Sequence, residues 1–107
     1  MASISGMGNL LKQAQDMQAR MAKVQEELGH MTVEGSAGGG MVQVTVNGQF
    51  NLTAVKIEPS VISVDEKGML EDLVLAAAND AMRKAREMAS TEMAKLTGGL
   101  KIPGLIP

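Results

Sequence analysis

The side chains equipped for chemistry in this chain are its charged ones, ten cations and twelve acids, and they are unevenly placed. Residues 1–25 hold Lys12, Arg20 and Lys23 against Asp16 alone, and residues 81–107 hold Arg83, Lys84, Arg86, Lys95 and Lys101 against Glu87 and Glu92. The acids collect between them, as Glu26, Glu27 and Glu34 in one run and Asp65, Glu66, Glu71, Asp72 and Asp80 in another. The net charge of −2 over 107 residues conceals this polarity. Clustered cations suit a polyanion such as a nucleic-acid backbone, because they neutralise phosphates and release condensed counterions. The pattern also has a plainer reading. Acids near a helix start and bases near its end compensate the helix dipole, and Asp80–Lys84 and Arg83–Glu87 are ordinary i,i+4 surface pairs.

Little else in the sequence is reactive. There is no cysteine, which excludes thiol catalysis, a Cys-liganded zinc and a disulfide frame. His30 is the single histidine and reads as a turn residue after Gly29, with no second imidazole to share a metal. The acids from Asp65 to Asp72 fall at a helix start, where capping and solvation account for them without acid–base chemistry. Gly38-Gly39-Gly40 is not a phosphate loop, since no Lys-Ser or Lys-Thr follows it. Ser90 and Thr91 have no base in view. The expectation is a non-enzymatic protein with no cofactor, no metal and no small-molecule substrate. No apolar run approaches the ~20 residues a membrane helix needs, and the N-terminus lacks a basic region and an apolar stretch, so a signal peptide is not expected and the cytoplasm is the default location.

The elements that must position the cations can be read from periodicity. Residues 1–8 read as a flexible leader, with Asn9 as an N-cap. Leu10, Ala14, Met17, Met21, Val24 and Leu28 then alternate steps of four and three, a heptad seam on a helix over residues 9–28 that Gly29 stops. Residues 31–58 read as a three-stranded sheet. Residues 31–34 come first, followed by the flexible connector Gly35-Ser36-Ala37-Gly38-Gly39-Gly40. Residues 41–46 are the second strand, with three valines on one face. Asn47-Gly48 is a strong hairpin signal. Residues 50–58 follow as the third, and their imperfect alternation calls for a bulge or two-sided burial. After a connector, Asp65 caps a helix over residues 65–97, with Leu70, Leu73, Val74, Ala77, Ala81, Ala85 and Met88 along one stripe. Residues 98–107, apolar but broken by Pro103, Gly104 and Pro107, read as an extended tail. The class is α+β in the order α-β-β-β-α, one domain over residues 1–107 with a small antiparallel sheet.

Helices longer than a sheet of short strands, about 20 Å across, must project beyond it. If they pack antiparallel, supporting each other through their seams, the basic halves lie at the far tips and the acids beside the body. The sheet lacks cover for a good monomer, and a two-fold homodimer is the simplest remedy. The seam methionines Met17 and Met21 read as helix contacts.

The chain resembles the YbaB/EbfC family of bacterial nucleoid-associated proteins. The resemblance rests on Gly8-Asn9-Leu10-Leu11-Lys12-Gln13-Ala14-Gln15, Met17-Gln18, Gln25-Glu26-Glu27-Leu28, Val33-Glu34-Gly35, Val42-Gln43-Val44-Thr45-Val46-Asn47-Gly48, Val55-Lys56-Ile57-Glu58-Pro59-Ser60 and the run from Met69 to Ala81. It covers roughly residues 6 to 99. It implies a tweezer-like homodimer in the cytoplasm and nucleoid whose projecting helices contact double-stranded DNA, with links to chromosome organisation and gene regulation. By that resemblance Lys12, Arg20 and Lys23 on the first helix, and Arg83, Lys84, Arg86 and Lys95 on the last, are candidate phosphate contacts. Gln13 and Gln18 could reach base edges or sugars. Few cations at each tip imply weak, salt-sensitive binding. The competing reading is an adaptor or chaperone-like module that grips partner helices through its methionine-bearing seams.

Overall fold

The computed structural model describes residues 2–96, with α1 over Ala2–Gly29, β1 over Thr32–Ala37, β2 over Val42–Asn47, β3 over Leu52–Ile57 and α2 over Lys67–Leu96. The strands form one antiparallel sheet in the order β1-β2-β3. The expected α-β-β-β-α order therefore stands. The tail assigned to residues 98–107 lies outside the described residues.

The core is aliphatic and small. Val42, Val44 and Val46 point from the central strand to one face, where Ala77, Ala81 and Ala85 of α2 cover them, all six fully buried. Alanine at a spacing of four puts the smallest side chains along the contact line, so the helix axis can settle close to the sheet. Gly35 completes this approach. A Cβ there would stand 2.5 Å from the carbonyl oxygen of Ala77, against the helix backbone itself. The stretch read as a flexible connector from Gly35 to Ala37 is therefore strand. Its glycine marks a close approach of two backbones rather than a loop. The turn is confined to residues 38–41, with Gly38, Gly39 and Gly40 all at positive φ.

β3 is an edge strand with a bulge. Thr45 opposes Ala54 and Val46 opposes Leu52, which leaves Thr53 without a partner. The extra residue reverses the alternation, so Leu52 joins Val55 and Ile57 on the face of the β2 valines. The two-phase apolar pattern of this strand thus has one destination. Asn47-Gly48 does open a hairpin, but through a three-residue loop: the Phe50 N–H donates to the Asn47 carbonyl at 3.0 Å, and Phe50 takes φ 67°. This is the longer hairpin type, a turn followed by a left-handed residue.

The same hairpin fastens α1. The Gly48 N–H donates to the Leu28 carbonyl at 2.8 Å, the Gln49 side-chain amide to the Gln25 carbonyl at 2.8 Å, and the Asn47 amide to the Gly29 carbonyl at 3.5 Å. Three terminal carbonyls of the helix are satisfied by one loop, which also packs Gly48 against Leu28. Asn47, nearly buried, spends its side-chain oxygen on the N–H groups of Gln49 and Asn51.

Three features differ from those read in the sequence. α1 starts at Ala2, so residues 2–8 are helix rather than leader, and Asn9 is interior rather than a cap. The 3–4 spacing already includes Met7, and extending an existing helix is far cheaper than nucleating one, which offsets the ~1 kcal/mol each of Gly6 and Gly8. Asp65 lies within a short 3-10 turn, Val64–Glu66, and α2 begins after it, at Lys67. The seams of the two helices do not close on each other: of the α1 seam residues from Met7 to Leu28, only Val24 and Leu28 are substantially withdrawn from water.

Candidate nucleic-acid interface

Chain direction decides where the cations sit. α2 runs antiparallel to β1, since Gly38 lies by Leu73, Gly35 by Ala77 and Ala81, and Glu34 by Lys84. It therefore leaves the sheet at the end where β1 begins, beside the terminus of α1, and the two helices touch there. α1 does not fold back over the sheet. The molecule measures 77 × 23 × 17 Å, and every residue from Met7 to Lys23 is exposed. A helix of 28 residues, about 42 Å at 1.5 Å per residue, thus forms an arm, flanked near its base by the last turns of α2.

On that arm Lys12, Arg20 and Lys23 are exposed, and none has an ion-pair partner among the described residues. At about 100° per residue they fall within a sector of about 80°, with Lys12 and Lys23 turned away from the seam that runs from Met7 to Leu28 and Arg20 beside its edge. Asp16 shares their face and dilutes it. Gln13, Asp16, Met17 and Arg20 line a shallow open hollow of about 280 Å³.

The cations of α2 are more engaged. Arg83 donates to Asp80 at 2.8 Å and to Glu87 at 3.1 Å. Lys84, half-buried, donates its ammonium to the Glu34 carbonyl at 3.1 Å and lies 3.4 Å from Asp80, tying α2 to β1. Lys95 pairs with Glu92 at 3.0 Å. Arg86 is exposed and has no ion-pair partner among the described residues. Arg83 and Arg86 border an open groove with Glu87, Ser90 and Thr91. Sequence spacing foresees the Asp80–Lys84 and Arg83–Glu87 pairs, whereas the Lys84–Glu34 tie crosses 50 residues and leaves no local signal.

Asp80 is the acid that organises this patch. The Ser36 backbone N–H, at 3.1 Å, and the Arg83 guanidinium hold its carboxyl below the usual carboxylate range, with Lys84 adding to the effect. A depressed folded value means this stabilisation is present above the unfolded carboxylate value, about 3.9, and is lost as pH falls through the folded one. Asp80→Asn is therefore expected to melt at a lower temperature than the parent at pH 7, with the gap narrowing as pH falls below the unfolded carboxylate value and through the depressed folded one. A gap that persists unchanged in acid would show that the charge of Asp80 is not what matters.

Among the described residues no group of three or more His, Cys, Asp or Glu side chains could hold a metal ion. None of the described helices is long and apolar enough to cross a membrane.

An α+β body carrying a long helical arm, with cations on the arm and acids nearer the body, belongs to the class of proteins built to meet a polyanion such as DNA. The chain belongs to the YbaB/EbfC DNA-binding family, whose model matches residues 3–100. It is 52% identical over 99 residues to a nucleoid-associated protein of Desulfotalea psychrophila, covering 92% of this chain and 93% of that one. A nucleoid-associated protein of Thermoanaerobacter pseudethanolicus is 54% identical over 99 residues, with coverage of 92% and 89%. In fold, the chain is similar to the crystal structure of an uncharacterized protein from Helicobacter pylori. The TM-score is 0.71 at 24% identity, covering 86% of this chain and 94% of that one.

Proposed function

We infer that this protein works as a homodimer whose paired arms hold double-stranded DNA through phosphate contacts, contributing to chromosome organisation and gene regulation on the nucleoid, in the cytoplasm. The observation that carries the reading is the set Lys12, Arg20 and Lys23, exposed and without ion-pair partners among the described residues, on a helix that stands clear of the acidic body. Arg86 adds an uncommitted cation near the base of the arm. Arg83, Lys84 and Lys95 must share their charge with carboxylates. Phosphate contacts of this kind position a protein on DNA without reading its sequence. With few of them, fluorescence anisotropy on a labelled duplex should show affinity falling steeply with salt, at a log–log slope of about −0.9 per phosphate neutralised. Absence of binding even at low salt would end this reading and favour the adaptor alternative.

The dimer is supported by what α2 leaves bare. It covers β1 and β2 but not β3, so Leu52 and Val55 remain half-exposed on the helix-covered side of the sheet. Beside them Ile57, Leu70, Val74, Leu75 and Ala78 line an apolar trough of about 490 Å³. A contiguous apolar strip of this kind marks an interaction site, and a second copy buries it twice at once through a two-fold axis. Light scattering should give twice the chain mass at micromolar concentration. Val55→Asp should return the mass to that of one chain while the helical circular dichroism survives. A parent protein of single-chain mass would refute the dimer.

A further inference from the structure

The two edges of the sheet are finished differently, and the difference decides where a further strand can add. A strand edge offers its backbone N–H and C=O groups to any passing strand unless something covers them. At the β1 edge, the groups that turn away from β2 are taken by α2. The Ser36 N–H donates to the Asp80 carboxylate at 3.1 Å, and the Glu34 carbonyl accepts from the Lys84 ammonium at 3.1 Å. Asp80 and Lys84 lie 3.4 Å from each other, so the pair stands where a neighbouring strand would. That edge is closed.

The β3 edge is open. The Glu58 N–H donates toward β2, to the Met41 carbonyl at 2.8 Å. Bonded and non-bonded positions alternate along an antiparallel ladder, so Val55 and Ile57 turn their N–H and C=O groups outward. No strand lies beyond β3 among the described residues, and α2 covers only β1 and β2. Lys56 and Glu58 flank Ile57 on the face away from the β2 valines and border one small hollow with Gln43. Both are exposed, and neither has an ion-pair partner among the described residues.

We propose, on the footing of the homodimer inferred above, that β3 pairs antiparallel with β3 of a second copy about a two-fold axis at Ile57, so that Lys56 of each copy faces Glu58 of the other. A cation and an acid flanking one residue are their own complement under a two-fold, which points to a second copy rather than an unrelated strand. Outward groups must meet outward groups, which leaves registers centred on Val55, Lys56 or Ile57. Centring on Lys56 sets two ammonium groups directly opposite, a destabilising arrangement. Centring on Val55 sets Lys56 against Ala54 and Glu58 against Leu52, with no partner for either charge. Centring on Ile57 pairs both charges in both copies, at the non-hydrogen-bonded positions where opposed side chains come closest. Pro59, which has no N–H, ends the pairing. The apolar side agrees, because Ile57 lines the trough with Leu70 and Val74, and on this axis the troughs of the two copies meet.

The test is a charge swap followed by analytical ultracentrifugation over a dilution series. Lys56→Glu and Glu58→Lys should each weaken dimerisation about ten-fold or more, since each turns two attractive contacts into repulsive ones. Lys56→Glu/Glu58→Lys should return it to the parent value. Single variants that dimerise like the parent, or a double variant as weak as the singles, would overturn the pairing and leave the dimer standing. A parent that sediments as one chain at micromolar concentration would instead refute the dimer, and the pairing with it. Ile57→Cys gives an independent check in a chain with no other cysteine. Opposed α-carbons at a hydrogen-bonded pair stand about 5.5 Å apart, within disulfide reach, so oxidation should yield a covalent dimer. An Ile57→Cys protein that stays unlinked while Val55→Cys links would overturn the register.

Discussion

Gly35→Ala should lower the thermal midpoint by roughly 10–20 °C at fixed protein concentration, and Gly35→Val should leave little folded protein. The added Cβ would stand 2.5 Å from the Ala77 carbonyl oxygen and 2.6 Å from the Ala81 Cα, so it meets main chain rather than a side chain that can swing away. Relief requires α2 to lift off the sheet, opening gaps around Ala77, Ala81 and Ala85 against the β2 valines. Overpacking of a tight core costs about 1–3 kcal/mol, and more where backbone must move. Each kcal/mol is worth about 4–8 °C in a domain of this size. Gly68→Ala is the matched control. No atom lies within 4 Å of its hypothetical Cβ, and it sits in a helix, so the substitution should be neutral or gain up to about 1 kcal/mol. Equal melting of Gly35→Ala and the parent would mean that the helix is not seated on β1 as described.

The second large effect concerns DNA. Lys12→Glu/Arg20→Glu/Lys23→Glu should weaken duplex binding by on the order of 100-fold or more at low salt. The salt slope should flatten by about 0.9 for each phosphate that is no longer neutralised. All three side chains are exposed and glutamate is a good helix former, so the melting temperature should hold. Arg86→Glu should weaken binding further. Lys84→Glu should behave differently, because that ammonium is spent on the Glu34 carbonyl and Asp80. A carboxylate there repels Asp80 and removes the tie between α2 and β1, so its first effect should be on stability. An unchanged anisotropy curve for the triple variant would move the contact surface off the arm. A Lys84→Glu protein that melts normally but fails to bind DNA would return that lysine to the interface.

Much of this architecture is local, and what is local can be read from the chain. The 3–4 spacing from Leu10 to Leu28, the alternating valines of β2, the Asn47-Gly48 hairpin and the alanine stripe of α2 each declare an element through the period of its own side chains. The separation of basic arm from acidic body follows too, because it needs only the order of elements and the directions in which helices run. The bulge in β3 was legible as a break in alternation, but not the residue that carries it, since register is fixed by the partner strand.

What the sequence by itself determined is thus the class, the order of elements and the distribution of charge. Tertiary structure alone decided which glycine is a loop and which a contact: Gly38 to Gly40 turn the chain, while Gly35 admits a helix backbone. It decided that the hairpin after β2 caps α1. It also decided which cations are spoken for, because Lys84 finds its carbonyl 50 residues away whereas Lys12, Arg20 and Lys23 find no carboxylate among the described residues. The physical reason is common to all three. Periodicity reports the surface a segment must bury, but the identity of the atoms that meet it depends on contacts distant in sequence, and only the folded chain brings those together.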